Sequence, residues 1–391
     1  MKIVRAEVFD IDVPGLPSLH PIIVRLTTDE GVSGVGEASI GWGTGHSGAA
    51  GMIKNLAEGF VLGADPMKVE RLWETMFRNS FWALGGGPIV YSAMSALDIA
   101  CWDIKGKALK QPVWQLIGGQ TNDSIRAYAS HVQGGWGPEA KVSITPENYA
   151  EEARKAVAEG YDAVNISPTV VDAQGKRGAN LTRILSTDQV KLFYNRVKAV
   201  REAIGPDVAL IIDTFGAFSD TTAIQMGKLW EEFNIYYFEE PVNYDNPEIQ
   251  ARVTQNVKIP MAAGERIYTR WGYRPYFEKQ ALAVIQPDIG NCGGITEGKK
   301  ICDYANIYDI AVQCHTYGSP ITTAVSLQVE TVIPNFILHE HATIVLRPQI
   351  KEICQTNYQP VKGKFVIPEL PGLGIELNDA VVNKSPHVVV K

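Results

Sequence analysis

The sequence is short of cysteine, of long apolar segments and of positive charge, and each shortage excludes a class of protein. Its five cysteines are odd in number and scattered, without a Cys-x-x-Cys pair, which is typical of reduced thiols in a cytoplasm. No apolar run reaches the roughly 18 residues of a membrane span. Because the first residues also lack the apolar core and cleavage site of a signal peptide, we expect a cytoplasmic protein.

The charge balance disfavours nucleic acid as a partner. The 43 acidic side chains outnumber the 36 Lys and Arg and give a net charge of −7, whereas nucleic-acid binders usually carry a basic patch. At 391 residues the chain is long enough for two or three domains. We therefore expect a globular protein that acts on a small molecule and binds neither nucleic acid nor a membrane.

Six polar side chains recur at a nearly even step in the second half of the chain. Each stands at or just beyond the C-terminal end of a short apolar run, and successive members are 26, 26, 23, 27 and 25 residues apart. They are Asp213, Glu239, Glu265, Asp288, His315 and Glu340. A strand plus a helix repeated at this step is the unit of a (β/α) barrel. Because catalytic residues of such barrels lie at the C-terminal ends of the strands, we expect the six side chains to converge on one mouth.

The rest of the chain divides on either side of this repeat. Residues 1–40 alternate as strands, and helical segments follow, the longest from Pro88 to Lys110. We predict an α+β domain over residues 1–120, a barrel over residues 121–345, and a C-terminal segment over residues 346–391 that returns to the first domain. The apolar run at the end of the chain predicts this return, since a closed barrel has no place for it.

Three carboxylates on adjacent predicted strands indicate a metal site. Asp213, Glu239 and Glu265 would repel one another when ionised at a shared mouth. A hard divalent cation with oxygen ligands removes that conflict, and Mg²⁺ suits such ligands. The alternative is that each carboxylate makes an ion pair or caps a helix.

The next two predicted strands supply a possible acid/base pair. A carboxylate behind an imidazole fixes the tautomer and raises the basicity, so Asp288 and His315 predict a general base working near neutral pH. A structural histidine is the alternative. Glu340, from the eighth strand, would close the ring, either as a protonated carboxyl that hydrogen-bonds an oxyanion or as a solvated side chain.

Other residues near the predicted mouth are candidates for substrate contact. His131 stands near the end of the first barrel strand, and Asn165 and Ser167 stand near the end of the second. His46 and Trp82 lie in glycine-rich loops of the first domain, where a solvated histidine is the alternative for His46. An insertion over residues 168–187 is predicted to lie over the mouth and to shape specificity.

At these residues the sequence resembles the enolase superfamily, in its mandelate racemase subgroup. The resemblance covers nearly the whole chain, and its motifs surround the six recurring side chains. The motifs are Ser95-Ala96-Leu97-Asp98-Ile99-Ala100-Cys101-Trp102-Asp103-Ile104-Lys105-Gly106-Lys107, Phe238-Glu239-Glu240-Pro241, Ala263-Gly264-Glu265-Arg266, Gln286-Pro287-Asp288, Gly293-Gly294-Ile295-Thr296, Cys314-His315 and Leu338-His339-Glu340.

The resemblance implies a (β/α)7β barrel with an α+β capping domain. It also implies one Mg²⁺ held by Asp213, Glu239 and Glu265, and an acid/base dyad of His315 with Asp288. The sequence is most similar to acid-sugar dehydratases such as galactonate and mannonate dehydratases. From these relatives we expect elimination of water from an aldonate or aldarate to give a 2-keto-3-deoxy acid, and a homo-oligomer between a dimer and an octamer.

One departure from the family pattern concerns the second base. Many relatives carry Lys-x-Lys at the end of the second strand, where this chain has Asn165-Ile166-Ser167. Galactonate and mannonate dehydratases carry a histidine two residues after the first metal ligand, where this chain has Phe215. Elimination needs only the single dyad, so racemisation is disfavoured. The alternatives are an epimerase, racemase or cycloisomerase with a second base such as His131 or a tyrosine, and a non-catalytic metal-dependent sugar-acid sensor.

Overall fold

An antiparallel sheet with helices on one side forms the first domain. The computed structural model describes residues 1–177 and 183–391, so part of the predicted insertion, residues 178–182, lies outside the described residues. The first three strands form a meander, with the turn at residues 29–31 joining the second to the third. They are β1 (Ile3–Asp10), β2 (Ile22–Thr28) and β3 (Ser33–Ala38).

The helices of this domain surround one long buried helix. They are α1 (His46–Leu56), which continues into a π-helical turn at Ala57–Val61, α2 (Val69–Asn79), α3 (Pro88–Leu109) and α4 (Val113–Leu116). Helix α3 packs closely on β3, because Gly36 has no side chain to hold the two apart. A Cβ atom at Gly36 would lie 2.0 Å from the carbonyl oxygen of Ala96. The apolar residues 90, 94, 97, 101 and 104, which recur at helical spacing along α3, are all buried.

Within the residues that the structure describes, eight parallel strands form the barrel. In chain order they are β4 (Ile125–Ser130), β5 (Ala163–Ile166), β6 (Ala209–Asp213), β7 (Ile235–Glu239), β8 (Met261–Ala263), β9 (Val284–Ile285), β10 (Ala311–Val312) and β11 (His339–Ala342). Each pairs with the next, β11 returns to β4, and a bridge between Val312 and Phe336 closes the ring. The predicted fold class, a (β/α)7β barrel with a separate α+β domain, is confirmed.

One helix follows each of the first seven strands. These are α5 (Pro146–Ala158), α6 (Thr187–Ile204), α7 (Asp220–Trp230), α8 (Pro247–Asn256), α9 (Thr269–Glu278), α10 (Gly294–Asn306) and α11 (Pro320–Glu330). Capping residues in the sequence specify where several of these helices begin. Thr145 with Asn148, and Ser186 with Gln189, form reciprocal capping boxes that satisfy backbone N–H groups at the N-termini of α5 and α6.

The chain returns to the first domain after the barrel. The last elements are α12 (Pro348–Lys351), β12 (Lys364–Phe365), α13 (Asp379–Val382) and β13 (His387–Val390). Strand β12 pairs with β4, and β13 pairs antiparallel with β1, so that Val390 is opposite Ala6. The last strand therefore forms one edge of the first-domain sheet.

The eighth barrel strand begins later than its apolar run predicts. The run at residues 336–338 precedes the strand, which is formed by the more polar His339–Ala342. This is possible because the buried histidines have partners: His339 Nδ1 lies 2.6 Å from Glu330 Oε2, and His341 Nδ1 lies 2.6 Å from the hydroxyl of Tyr161. Glu340 therefore lies within the strand, opposite Tyr128 of β4.

Within the part of the chain that the structure describes, the helices are too short or too polar to cross a lipid bilayer.

Candidate active site

The C-terminal ends of successive barrel strands bring the predicted metal ligands and the predicted acid/base pair together beside one cavity. Asp213 and Glu239 end β6 and β7 and are direct neighbours across the two strands. Glu265, Asp288 and His315 follow β8, β9 and β10 within three residues. The cavity has a volume of about 790 Å³, and its lining includes His131, Glu265 and His315 together with residues of the first domain such as Trp42, Thr44 and Ile89.

Two of the three predicted metal ligands, Asp213 and Glu239, are buried, while the side chain of Glu265 is 18% exposed. Burial, followed by the charges of Asp213 and Glu340, raises the pKa of Glu239 well above its usual value. Burial also raises the pKa of Asp213, and the charge of Glu265 adds to the effect. Burial favours the neutral form of Glu265 too, but the nearby His315 and Arg266 outweigh it and lower its pKa.

Each of these carboxylates has a nitrogen group as its neighbour. Asn165 donates to Glu239 Oε2 at 3.0 Å, His131 Nε2 lies 3.4 Å from Asp213 Oδ2, and His315 Nε2 lies 3.2 Å from Glu265 Oε2. Three acidic side chains on adjacent strands, with pKa values perturbed by one another, form an oxygen donor set that a hard divalent cation would stabilise. The donor set therefore fits Mg²⁺.

Asp288 and His315 are in direct contact. His315 Nδ1 lies 2.6 Å from Asp288 Oδ2, and the backbone N–H of Gly290 donates to the other Asp288 oxygen at 2.8 Å. Asp288 therefore holds the ring so that Nε2 faces Glu265. Burial lowers the pKa of His315, but the charges of Glu265 and Glu340 and the Asp288 contact outweigh it and raise the pKa well above its usual value.

Glu340 is buried rather than solvated. Its two carboxyl oxygens accept hydrogen bonds from the Ser130 hydroxyl at 2.6 Å and from the backbone N–H of Thr316 at 2.8 Å. Only 1% of the residue is exposed. Glu340 is therefore fixed between the first and seventh strand ends.

His131 reaches the cavity from the end of β4. It has a left-handed backbone with φ of 55°, and its ring stacks on Phe215 with centroids 5.4 Å apart. Burial lowers its pKa, but the hydrogen bond to Asp213 and the charge of Glu340 outweigh this and raise it. A second imidazole therefore faces the cavity, next to the metal-ligand candidate Asp213, whereas His315 is next to Glu265.

The remaining predicted substrate contacts lie outside the cavity lining. Asn165 and Ser167 are fully buried, and Asn165 positions Glu239 instead. Trp82 is 76% exposed and packs against Phe81. His46 contacts Asp10 and stacks on His20, with its side chain 23% exposed, and it does not line the cavity. Its loop contributes Trp42 and Thr44 to the lining in its place.

Several residues at the site were not predicted from sequence. Tyr317 and Arg266 line the cavity, each within two residues of a predicted site residue, and this proximity to a strand end is the signal that identifies them. Arg266 pairs with the buried Glu240, which explains the second carboxylate of the Glu239-Glu240 pair. Arg177, on the segment after β5, brings a guanidinium over the Trp42 ring at 6.0 Å.

A barrel with carboxylates and an imidazole at successive strand ends, covered by an α+β domain, defines the enolase superfamily architecture. Residues 16–118 match the mandelate racemase / muconate lactonizing enzyme N-terminal domain family, and residues 148–381 match the enolase C-terminal domain-like family. The chain belongs to the mandelate racemase and muconate lactonizing enzyme family of the enolase superfamily. The resemblance expected from the sequence motifs is confirmed.

Named relatives cover nearly the whole chain. A D-xylonate dehydratase of Haloferax volcanii is 33% identical over 96% of this chain and 88% of the relative. A D-galactonate dehydratase of Ralstonia pickettii is 31% identical over 92% of this chain and 90% of the relative. The crystal structure of a member of the enolase superfamily from Salmonella Typhimurium is 45% identical, covers 100% of both chains and superposes with a TM-score of 0.97.

Proposed function

We propose that the protein is a Mg²⁺-dependent dehydratase of sugar acids, which removes water from an aldonate or aldarate and yields a 2-keto-3-deoxy acid. The observation that carries this proposal is the His315–Asp288 contact of 2.6 Å next to Glu265, at the end of the strand that follows the neighbouring carboxylates Asp213 and Glu239. The names of two relatives, D-xylonate and D-galactonate dehydratase, support the same reaction class.

His315 and Asp288 have different roles in the proposed reaction. A cation bound at Glu265 would offset the largest of the charges that raise the pKa of His315, so we expect Nε2 to be unprotonated before the reaction. Nε2 then takes the proton from the carbon α to the substrate carboxylate, and the electron pair moves to form the enediolate. The protonated His315 then gives that proton to the β-hydroxyl as its C–O bond breaks, so water leaves and an enol remains. The enol tautomerises to the keto acid. Asp288 keeps Nδ1 protonated and stabilises the imidazolium formed in the first step.

Asp213, Glu239 and Glu265 would hold the Mg²⁺. A bound cation would supply the positive charge that stabilises the dianionic enediolate. Trp42 and Ile89 of the first domain and Phe215 of the barrel give the cavity wall an apolar portion. Arg177 and Arg266 add positive charge along the wall, where an acidic substrate is attracted.

His131 supports a second possible function, epimerisation. Inversion at the α-carbon needs an acid/base group on each face of the enediolate, and His131 lines the same cavity from the far side of the carboxylate row. The two functions are distinguished by recovering unreacted substrate from ²H₂O. We expect no inverted α-centre, because the proposed chemistry uses His315 alone. An inverted, deuterated substrate would identify a second base and favour the epimerase.

A screen of aldonates and aldarates for keto-acid formation tests the proposal. We expect turnover of at least one acid in the presence of Mg²⁺ and none after chelation. Glu239→Gln should lose both bound Mg²⁺ and turnover, while the matched variant Glu248→Gln, at an exposed carboxylate on the next helix, should keep both. Glu239→Gln with unchanged metal content and activity would refute the metal site. Binding without turnover of any acid would favour the sugar-acid sensor instead.

A further inference from the structure

A cluster of two histidines and an aspartate lies in the first domain, apart from the barrel site. Asp10 is the last residue of β1, His20 precedes β2, and His46 is the first residue of α1. Their side chains are only 21% to 24% exposed. None of the three takes part in the proposed dehydration.

The geometry of this cluster resembles that of a metal site. Nδ1 of His46 lies 3.1 Å from one Asp10 oxygen and 3.2 Å from the other, and Nδ1 of His20 lies 3.7 Å from Asp10 Oδ1. One ligand atom from each of the three residues lies within 4.8 Å of the other two. Neighbouring ligands of a tetrahedral Zn²⁺ are separated by about 3.4 Å, as bonds of about 2.0 to 2.1 Å require. The three side chains would therefore close on a cation with small movements.

The hydrogen bond on the other side of His20 indicates which nitrogen is free to bind. Nε2 of His20 lies 3.2 Å from the carbonyl oxygen of Pro17, which can only accept a hydrogen bond. Nε2 therefore carries the proton, and in the neutral ring Nδ1 presents its lone pair to Asp10. Asp12 adds a second carboxylate 3.4 Å from the same nitrogen. The Nδ1 lone pair and the carboxylate oxygens repel each other unless a cation or a proton lies between them. A backbone carbonyl that accepts from the other ring nitrogen, as Pro17 does here, is a usual partner of a metal-bound histidine.

The two imidazole rings are also held side by side. The rings of His20 and His46 stack with centroids 4.1 Å apart and an angle of 7° between their planes. This stacking brings both Nδ1 atoms to the same side, facing Asp10. Two imidazole nitrogens and one carboxylate are ligands preferred by Zn²⁺ and similar transition metals, whereas Mg²⁺ prefers oxygen.

We propose that Asp10, His20 and His46 form a second metal site, which takes a divalent transition-metal cation of the Zn²⁺ class. A cation at this site would hold both ends of the loop at residues 41–45 in place. This loop contributes Trp42 and Thr44 to the cavity lining. His20 also donates its backbone N–H to Gly41 at 2.7 Å, at the start of that loop, and His46 directly follows its end. The cation would thus stabilise a segment of the cavity wall without touching the substrate.

Zinc titration of the full chain tests the proposal. The parent protein carries Glu239→Gln, which disrupts the barrel carboxylates, and the solution contains excess Mg²⁺. We expect one Zn²⁺ per chain by calorimetry. Loss of a residue that only hydrogen-bonds to a metal ligand weakens metal affinity by roughly 10- to 100-fold. His46→Asn removes a ligand itself, so we expect a larger loss of zinc affinity. His387→Asn, at an exposed histidine of the same sheet, should leave binding unchanged.

Absence of zinc binding in the parent, or equal binding in His46→Asn and His387→Asn, would overturn the proposal. Circular dichroism of the zinc-free proteins shows whether each variant folds, and Asp10→Asn provides a second variant if His46→Asn does not. X-ray absorption at the zinc edge of the loaded parent gives an answer that needs no variant. We expect scattering from two imidazoles, and a shell without imidazole would exclude the site.

Discussion

At the scale of single residues, the position of His315 is determined by Asp288. The aspartate has its own fixed position, because its second oxygen accepts from Gly290, and it leaves His315 only one orientation in which Nδ1 is satisfied. Nε2 then faces the carboxylate row, where a substrate α-carbon would lie under the proposed mechanism. The ring is 12% exposed through the cavity.

Replacement of His315 with Asn tests this arrangement. Asn retains a donor for Asp288 but has no group that exchanges a proton near neutral pH, so we expect kcat to fall by at least about 100-fold. Metal content should be retained, since Asp213, Glu239 and Glu265 are unchanged. Steady-state kinetics and metal analysis on the same preparation measure both. Turnover near the wild-type level would remove the dyad from the mechanism.

At the scale of helices and strands, a buried carboxylate joins the two domains. Asp98 of α3 accepts hydrogen bonds from the backbone N–H of Thr296 at 2.9 Å and from its hydroxyl at 2.5 Å. Gly294, at the start of α10, makes this approach possible: its φ is 85°, and a Cβ atom there would lie 2.4 Å from Asp98 Oδ2. The Gly293-Gly294-Ile295-Thr296 motif is therefore a docking surface for α3.

The protonation of Asp98 should make stability depend on pH. Burial raises the pKa of Asp98 from its usual value of 3.8 to about 7. The hydrogen bonds from Thr296 lower the pKa but do not outweigh burial. The folded state thus holds the proton more tightly than the unfolded state, so the contribution of Asp98 to stability is fully present below about pH 4 and is lost as the pH rises through about 7. We expect Asp98→Asn to reduce this fall, as measured by the melting temperature between pH 5 and 8.

A control on α10 separates this effect from a change of surface charge. Asp303, whose side chain is 54% exposed, forms an i,i+4 pair with Lys299 on the same helix. Asp303→Asn should leave the pH dependence of the melting temperature as it is in the wild type. Glu37, whose pKa burial also raises to about 7, should leave a residual slope in Asp98→Asn. Equal slopes in wild type and Asp98→Asn would contradict the prediction.

At the scale of the whole molecule, the first domain is built from both ends of the chain. Strand β1 pairs with β13 along one edge and with β2 along the other. Without β13, the backbone groups of β1 would form an exposed sheet edge, which favours association with other chains. The C-terminal segment therefore contributes to the stability of the domain that covers the barrel.

Removal of residues 387–391 should lower the melting temperature and promote aggregation on heating. We expect a decrease of at least about 2 °C, because a loss of roughly 1 kcal/mol has an effect of this size in a large domain. Removal of Lys391 alone, which follows the strand, should have no effect. Calorimetry with light scattering measures both quantities. An unchanged melting temperature in the longer truncation would show that β13 is dispensable.

The sequence by itself determined the architecture and the chemistry of the barrel mouth. Apolar runs at a step of 23 to 27 residues predict parallel strands, and a side chain at the end of each run has its place fixed by the strand it follows. The eighth strand is the exception, because its histidines are buried with partners that other parts of the chain supply: His339 with Glu330 of α11, and His341 with Tyr161, 180 residues away in sequence.

Only the tertiary structure decided the positions of loop residues. No periodic pattern constrains Trp82, which is exposed, or His46, which stacks on His20 beside Asp10. Residues 10, 20 and 46 belong to a strand end, a connecting segment and a helix start, and no spacing rule relates them. Their side chains meet because the strands pair and the helix packs in one particular way, which depends on contacts throughout the domain.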